Sequence, residues 1–204
     1  MGSRRTIPTS RRGVSQHQTI ARSREACDVN FDPDRILRTL DAHEVQFVII
    51  GGLAGNIRGT ADVTNDLDVC YARKEDDLRR LAAALKELDA TLRVAGPVDG
   101  PIPFQLDAAT LRMGDSFTFS TKAGDFDILG TPSGTGGYDD LIQGASRFDL
   151  GQGLLVYVAG IDDLIRMKRA AQRPKDLLHI EHLEALAEVI ERAREAGLDP
   201  GQGS

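Results

Sequence analysis

Apolar positions recur with helical or strand spacing from about residue 32 onward, and the chain before them is polar. Asp32-Pro33 is an N-cap followed by a proline suited to a first helical position, and it opens a helix carrying Ile36, Leu37 and Leu40 on one stripe. Gln46-Phe47-Val48-Ile49-Ile50 reads as a buried strand that stops at Gly51-Gly52. A short helix over 53–58, a loop over 59–65 and a second strand over 66–72 follow. Leu78, Leu81, Ala82, Leu85 and Leu88 mark an amphipathic helix over 75–88. Pro97 to Pro103 is punctuated as loop. Ser116–Thr121 and Phe126–Leu129 form a hairpin about 122–124, and the glycine-rich stretch 133–137 is a link. A helix over 138–145, a strand over 154–158 and two helices over 161–172 and 174–196 complete the order α-β-α-β-α-β-β-α-β-α-α.

That order predicts an α+β fold: a small mixed β-sheet with helices on one side and a helical C-terminal part. The expected division is a core over 31–160 and a helical part of the same domain over 161–198. Residues 1–30, rich in Arg, Ser and Thr with little apolar periodicity, read as a disordered Arg-rich arm. A chain of 204 residues is long enough for one well-buried core and excludes a large multidomain machine.

Charge narrows the partners. The formal net charge is −6, and arginines 4, 5, 11, 12, 22 and 24 sit together near the start, so the rest of the chain is more acidic than the total suggests. An acidic body repels nucleic acid at long range, and a phosphate-bearing partner then requires a local basic cluster or a divalent cation. No apolar run approaches the roughly 20 residues of a membrane span. Cys27 and Cys70 are too few for a disulfide framework, which fits a reducing, cytoplasmic setting.

The chemistry concentrates in three places. Asp66-Leu67-Asp68-Val69 on a strand presents two carboxylates to one face and two apolar side chains to the other. Asp125-Phe126-Asp127-Ile128 on a later strand repeats the pattern, with Asp125 and Asp127 competing to be a third carboxylate and Asp127 flanked by the more apolar sequence. Converging carboxylates call for a hard divalent cation, Mg²⁺ or Mn²⁺. Gly51-Gly52 between strand and helix can let backbone N–H groups face a phosphate, or can simply be a tight turn. Arg166, Lys168, Arg169, Arg173 and Lys175 supply the basic cluster; Lys168 is the candidate point charge for a triphosphate, against the alternative of a solvated face neutralised by Asp162, Asp163 and Asp176. His179 and His182 read as ordinary helical residues, and Cys70 as a small buried apolar group.

Gly51-Gly52, a spacer, Asp66-x-Asp68 and then Asp127 resemble the nucleotidyltransferase (DNA polymerase β-like) superfamily, and Leu164-Ile165-x-Met167-Lys168 with Arg173-x-Lys175-Asp176 resembles its AbiEii and MenT-type toxins over about residues 34–190. The resemblance implies that Asp66, Asp68 and Asp127 hold Mg²⁺, that Gly51, Gly52, Lys168 and Arg173 contact the nucleotide, and that Asp176 is a required neighbour. It implies a toxin that transfers NMP from an NTP, CTP or another pyrimidine nucleotide, to the 3′ end of tRNA, opposed by an antitoxin protein. A small-molecule, aminoglycoside-like acceptor and a non-catalytic nucleotide-binding module are the alternatives. The chain departs from the family's pattern at Asp62-Val63-Thr64, where relatives often carry Arg; at Gly52, where Ser is frequent; and at His179, where an acid is frequent.

Overall fold

The structure, a computed structural model, describes residues 31–94, 104–174 and 176–198. The expected arm over 1–30, the whole of the expected loop over 97–103, Cys27 and Lys175 lie outside the described residues. Asp32 Oδ1 accepts from the Arg35 backbone N–H at 3.1 Å and caps α1 (Pro33–Ala42), whose Ile36, Leu37 and Leu40 are buried as the stripe requires. β1 (Phe47–Ile50) is buried at every position and runs directly into α2 (Gly51–Arg58). β2 (Asp66–Tyr71), α3 (Glu75–Glu87) and the short β3 (Thr91–Leu92) follow, then α4 (Ala108–Met113), β4 (Ser116–Thr121) and β5 (Gly124–Leu129). α5 (Tyr138–Gly144), β6 (Ser146–Asp149), β7 (Leu155–Val158), α6 (Ile161–Ala171) and α7 (Asp176–Glu195) complete the chain.

The strands form one mixed sheet of seven in the order β3-β4-β5-β2-β1-β7-β6. β1 and β2 pair antiparallel, whereas β2 and β5 run parallel, as do β1 and β7. The α+β class is as the sequence predicts. Three further elements, β3, α4 and β6, carry no apolar periodicity of their own: β3 has two residues, α4 buries only Leu111, and β6 leaves three of its four positions exposed. Long-range pairing, not local pattern, makes them regular. The helix expected to begin at Leu53 begins at Gly51, so the glycines form its first turn and not a separate link.

Alternation along the central strands decides what faces the core. Leu67, Val69, Phe126 and Ile128 are fully buried and join α1 and α3 in a core that also takes in Leu164, Ile165 and Leu183 of α6 and α7. Asp66, Asp68, Asp125 and Asp127 therefore all emerge on the opposite face. α2 is fixed to the sheet at its far end by Arg58, whose Nε and Nη2 donate to the carbonyls of Ala159 at 3.0 Å and Val158 at 2.8 Å. The cost of turning these carboxylates inward by a one-residue slip, burying charge and exposing the apolar set, is what specifies the register.

Candidate active site

The parallel pairing of β2 with β5 places Asp66 beside Asp125 and Asp68 beside Asp127. All four line a cavity of about 590 Å³ together with Gly51, Gly52, Thr64, Arg93, Lys168, Arg173, Asp176 and His179. Residues drawn from seven separated stretches of sequence thus meet in one cleft. Asp127 is the deeper of the β5 pair, its side chain 19% exposed against 39% for Asp125.

The glycine turn is built against the carboxylates. β1 and β2 pair Ile50 with Asp68, so the residue after Ile50 stands over the Asp68 side chain. Gly51 has φ +69°, and a Cβ there would overlap Asp68 Oδ2. A side chain is excluded at this position twice, by backbone conformation and by the carboxylate. A Cβ on Gly52 would lie 2.9 Å from Thr64 Oγ1, and that hydroxyl donates to Asp66 Oδ1 at 3.0 Å. The space that a serine at 52 would fill is thus taken by Thr64.

Burial, reinforced by Asp66 and Asp127, raises the Asp68 carboxyl to about 7, with Lys168 and Arg173 opposing the shift. Burial also raises Asp127, while the Arg93 guanidinium opposes it. Arg93, just beyond β3, is a residue that the sequence reading missed. Its Nη1 contacts Asp125 Oδ2 and its Nη2 lies 3.1 Å from Asp127 Oδ1. No motif marks it; it reaches the cluster because β3 pairs with β4 and β4 with β5. As the side chains stand, no three carboxylate, imidazole or thiol groups among the described residues converge on one ion. The donor set nevertheless suits a hard cation: all-oxygen, on adjacent strands, and with one carboxyl raised by burial and by its two acidic neighbours.

Lys168 lines the same cavity, 15% exposed, with Nζ 3.3 Å from Asp176 Oδ1 and 3.1 Å from His179 Nδ1. Arg173 lines the same cavity. The rest of the basic cluster is committed elsewhere. Arg166 lies 2.8 Å from Asp140 and 2.7 Å from Asp163, and Arg169 lies 2.5 Å from Glu184. Asp162 stands apart from these pairs, so the neutralising acids differ in part from those expected. Two departures from the resembled pattern prove to be neighbours: Asp62 Oδ1 lies 3.9 Å from His179 Nε2 and 2.8 Å from His182 Nδ1. His182 ties α7 to the loop that precedes Asp66. Cys70 is buried, and its thiol is pushed up to about 12 by that burial, as an inert core position would be.

No helix among the described residues is long and apolar enough to cross a membrane. No family model and no curated protein matches the sequence. Among solved structures, the chain is similar to the lincosamide antibiotic adenylyltransferase LnuA in its lincomycin-bound form, at 13% identity and TM-score 0.51, over 76% of this chain and 95% of that one. It is also similar to ANT(2″)-Ia in complex with adenylyl-2″-tobramycin, at 17% identity and TM-score 0.46, over 80% of this chain and 93% of that one. The likeness to LnuA shows the fold: that of nucleotidyltransferases.

Proposed function

We propose that this chain is a nucleotidyltransferase that passes NMP from an NTP to an acceptor hydroxyl and releases pyrophosphate. The observation that carries the reading is that Asp66, Asp68 and Asp127 stand on one face of parallel neighbouring strands, against the Gly51 turn, and line one cavity with Lys168. In this reading Asp66, Asp68 and Asp127 hold Mg²⁺, with Mn²⁺ an effective substitute. Bound there, the ion would cancel carboxylate and phosphate charge and favour the alkoxide form of the acceptor. Gly51 and Gly52 let the phosphates approach the backbone at the start of α2, where the helix N-terminus favours an anion. Lys168 and Arg173 hold the β- and γ-phosphates, so that the leaving pyrophosphate departs against fixed positive charge. Asp176 keeps Lys168 in place through its carboxylate. Asp127 is the carboxylate nearest the acceptor side.

For the acceptor, the resemblance to AbiEii and MenT-type toxins favours the 3′ end of tRNA, with a pyrimidine nucleotide as donor and a cognate antitoxin as partner. A second reading, a small hydroxyl-bearing antibiotic of the aminoglycoside or lincosamide kind, draws support from the engagement of Arg166 and Arg169 with acids of their own chain. Those cations are not free to track a polyanion. The deciding experiment incubates the full chain with Mg²⁺ and each labelled NTP in the presence of total tRNA, an aminoglycoside or lincomycin. Label on tRNA supports the toxin reading, and label on an antibiotic supports the second. NTP binding with no transfer to any acceptor would reduce the chain to a binding module. Transfer that survives Asp66→Ala would overturn the site.

A further inference from the structure

His179 stands between two charged groups from different parts of the fold. On one side is the Lys168 ammonium of α6, 3.1 Å from Nδ1; on the other is the Asp62 carboxylate of the loop between α2 and β2, 3.9 Å from Nε2. An ammonium has only protons to offer, so a close approach to Nδ1 requires that nitrogen to present its lone pair. The ring proton then sits on Nε2, toward Asp62, as a carboxylate neighbour favours. Asp62 is itself fixed: its side chain is 10% exposed, its oxygen is reached by His182 Nδ1 at 2.8 Å, and its backbone N–H and carbonyl are held by the Asn56 side chain at 3.0 and 2.7 Å.

Lys168 is therefore steadied by one carboxylate, Asp176, and one neutral ring. A second carboxylate in place of that ring would orient the ammonium as well but cancel more of its charge. A neutral acceptor fixes direction and leaves the positive potential for a ligand. The arrangement also links Lys168 to the loop that leads into Asp66 through α7, whose His179 meets the ammonium and whose His182 meets Asp62.

We propose that His179 is a positioning residue whose Nδ1 accepts from Lys168 and fixes that ammonium at the triphosphate end of the cavity without neutralising it. The inference rests on the nucleotide-site reading above. Its test is isothermal titration of inorganic tripolyphosphate, which lacks a base and a sugar, into the full chain with Mg²⁺ present. His179→Phe removes the acceptor and is expected to weaken binding about fivefold, the worth of one hydrogen bond. His179→Asn offers a carbonyl near the place of Nδ1 and is expected to stay within about twofold of the parent, by the same measure. His179→Glu is expected to weaken binding more than Phe does, through charge cancellation. Circular dichroism and thermal melts establish that each variant is folded; should His179→Phe not fold, the Asn and Glu pair carries the comparison. Binding by His179→Phe equal to the parent, or by folded His179→Asn no better than by His179→Glu, would overturn the proposal. Failure of the parent chain to bind tripolyphosphate would instead overturn the nucleotide site itself.

Discussion

Replacing Arg93 by glutamine should make the protein bind divalent cations more tightly. The guanidinium spans Asp125 and Asp127, with Nη2 at 3.1 Å from Asp127 Oδ1, and thus competes for the lone pairs that a cation would use. The Coulomb repulsion between a double and a single positive charge, taken at roughly 5 Å with the water that reaches the partly exposed side chains allowed for, is about 2 kcal/mol. That corresponds to about a thirtyfold change in affinity. The assay is titration of Mn²⁺ into nucleotide-free protein, with the free ion followed by its electron paramagnetic resonance signal. Arg93→Gln should bind about thirtyfold more tightly, and Arg93→Lys, which keeps the charge, much less so. Arg73→Gln is the control, since that side chain bonds the carbonyls of Gly114 and Arg112 outside the cavity. Arg93→Gln with Mn²⁺ affinity unchanged or lowered would refute the reasoning. Arg93 would then be a support for Asp127 and not its competing counter-ion.

Gly51→Ala forces an L side chain into a left-handed backbone and onto Asp68 Oδ2, so it should abolish nucleotidyl transfer and lower the melting temperature, a conformational cost of about 1–2 kcal/mol before any clash. Thr64→Val removes the hydroxyl that orients Asp66 and should weaken Mn²⁺ binding about tenfold, whereas Thr64→Ser should retain it. Gly52→Ser should displace Thr64 and reproduce that loss, and a Gly52→Ser/Thr64→Ala double variant should recover part of it, because the new hydroxyl enters the space that the old one leaves. Phe126→Ala empties a fully buried site on the strand that carries Asp127 and should cost about 3–5 kcal/mol in urea-monitored unfolding.

The parts of the fold legible in sequence are those in which local periodicity and burial agree. The stripe Ile36, Leu37, Leu40 and the stripe Leu78, Leu81, Ala82, Leu85 each announce a helix and each is buried. The alternation in Asp66–Val69 and Asp125–Ile128 announces two strands with carboxylates on one face, and the parallel register then sets Asp68 beside Asp127. The alternation fixes which face each strand shows; which carboxylate stands beside which is not written in either strand and comes with the pairing of β5 on β2. Arg93 was illegible for the same reason: its partners lie 32 and 34 residues away, through two antiparallel pairings. Asp62 and His179 could have been suspected together, since both depart from the family pattern with opposite tendencies in charge. Only the packing of α7 against the loop after α2 makes them neighbours.

The basic cluster shows why density of charge along a sequence is a weak guide to what a surface binds. Arg166, Lys168 and Arg169 fall within four residues, yet the helix points them in different directions and the fold supplies each with a different acid. Arg166 joins α6 to Asp140 of α5, and Arg169 joins it to Glu184 of α7; these are ties between helices. Lys168 differs because it lies on the stripe beside Leu164 and Met167 and thereby enters the cavity, where it meets the buried carboxylate of Asp176. A half-buried cation held at one point is suited to a short, highly charged ligand such as a triphosphate. A long polyanion needs charges spread along a surface, and the described part of this segment spends those on itself. In the proposed reading the triphosphate end thus draws its charge from Lys168 with Arg173, while the group of Arg93, Asp125 and Asp127 passes from net negative to net positive as a divalent cation takes up Asp127.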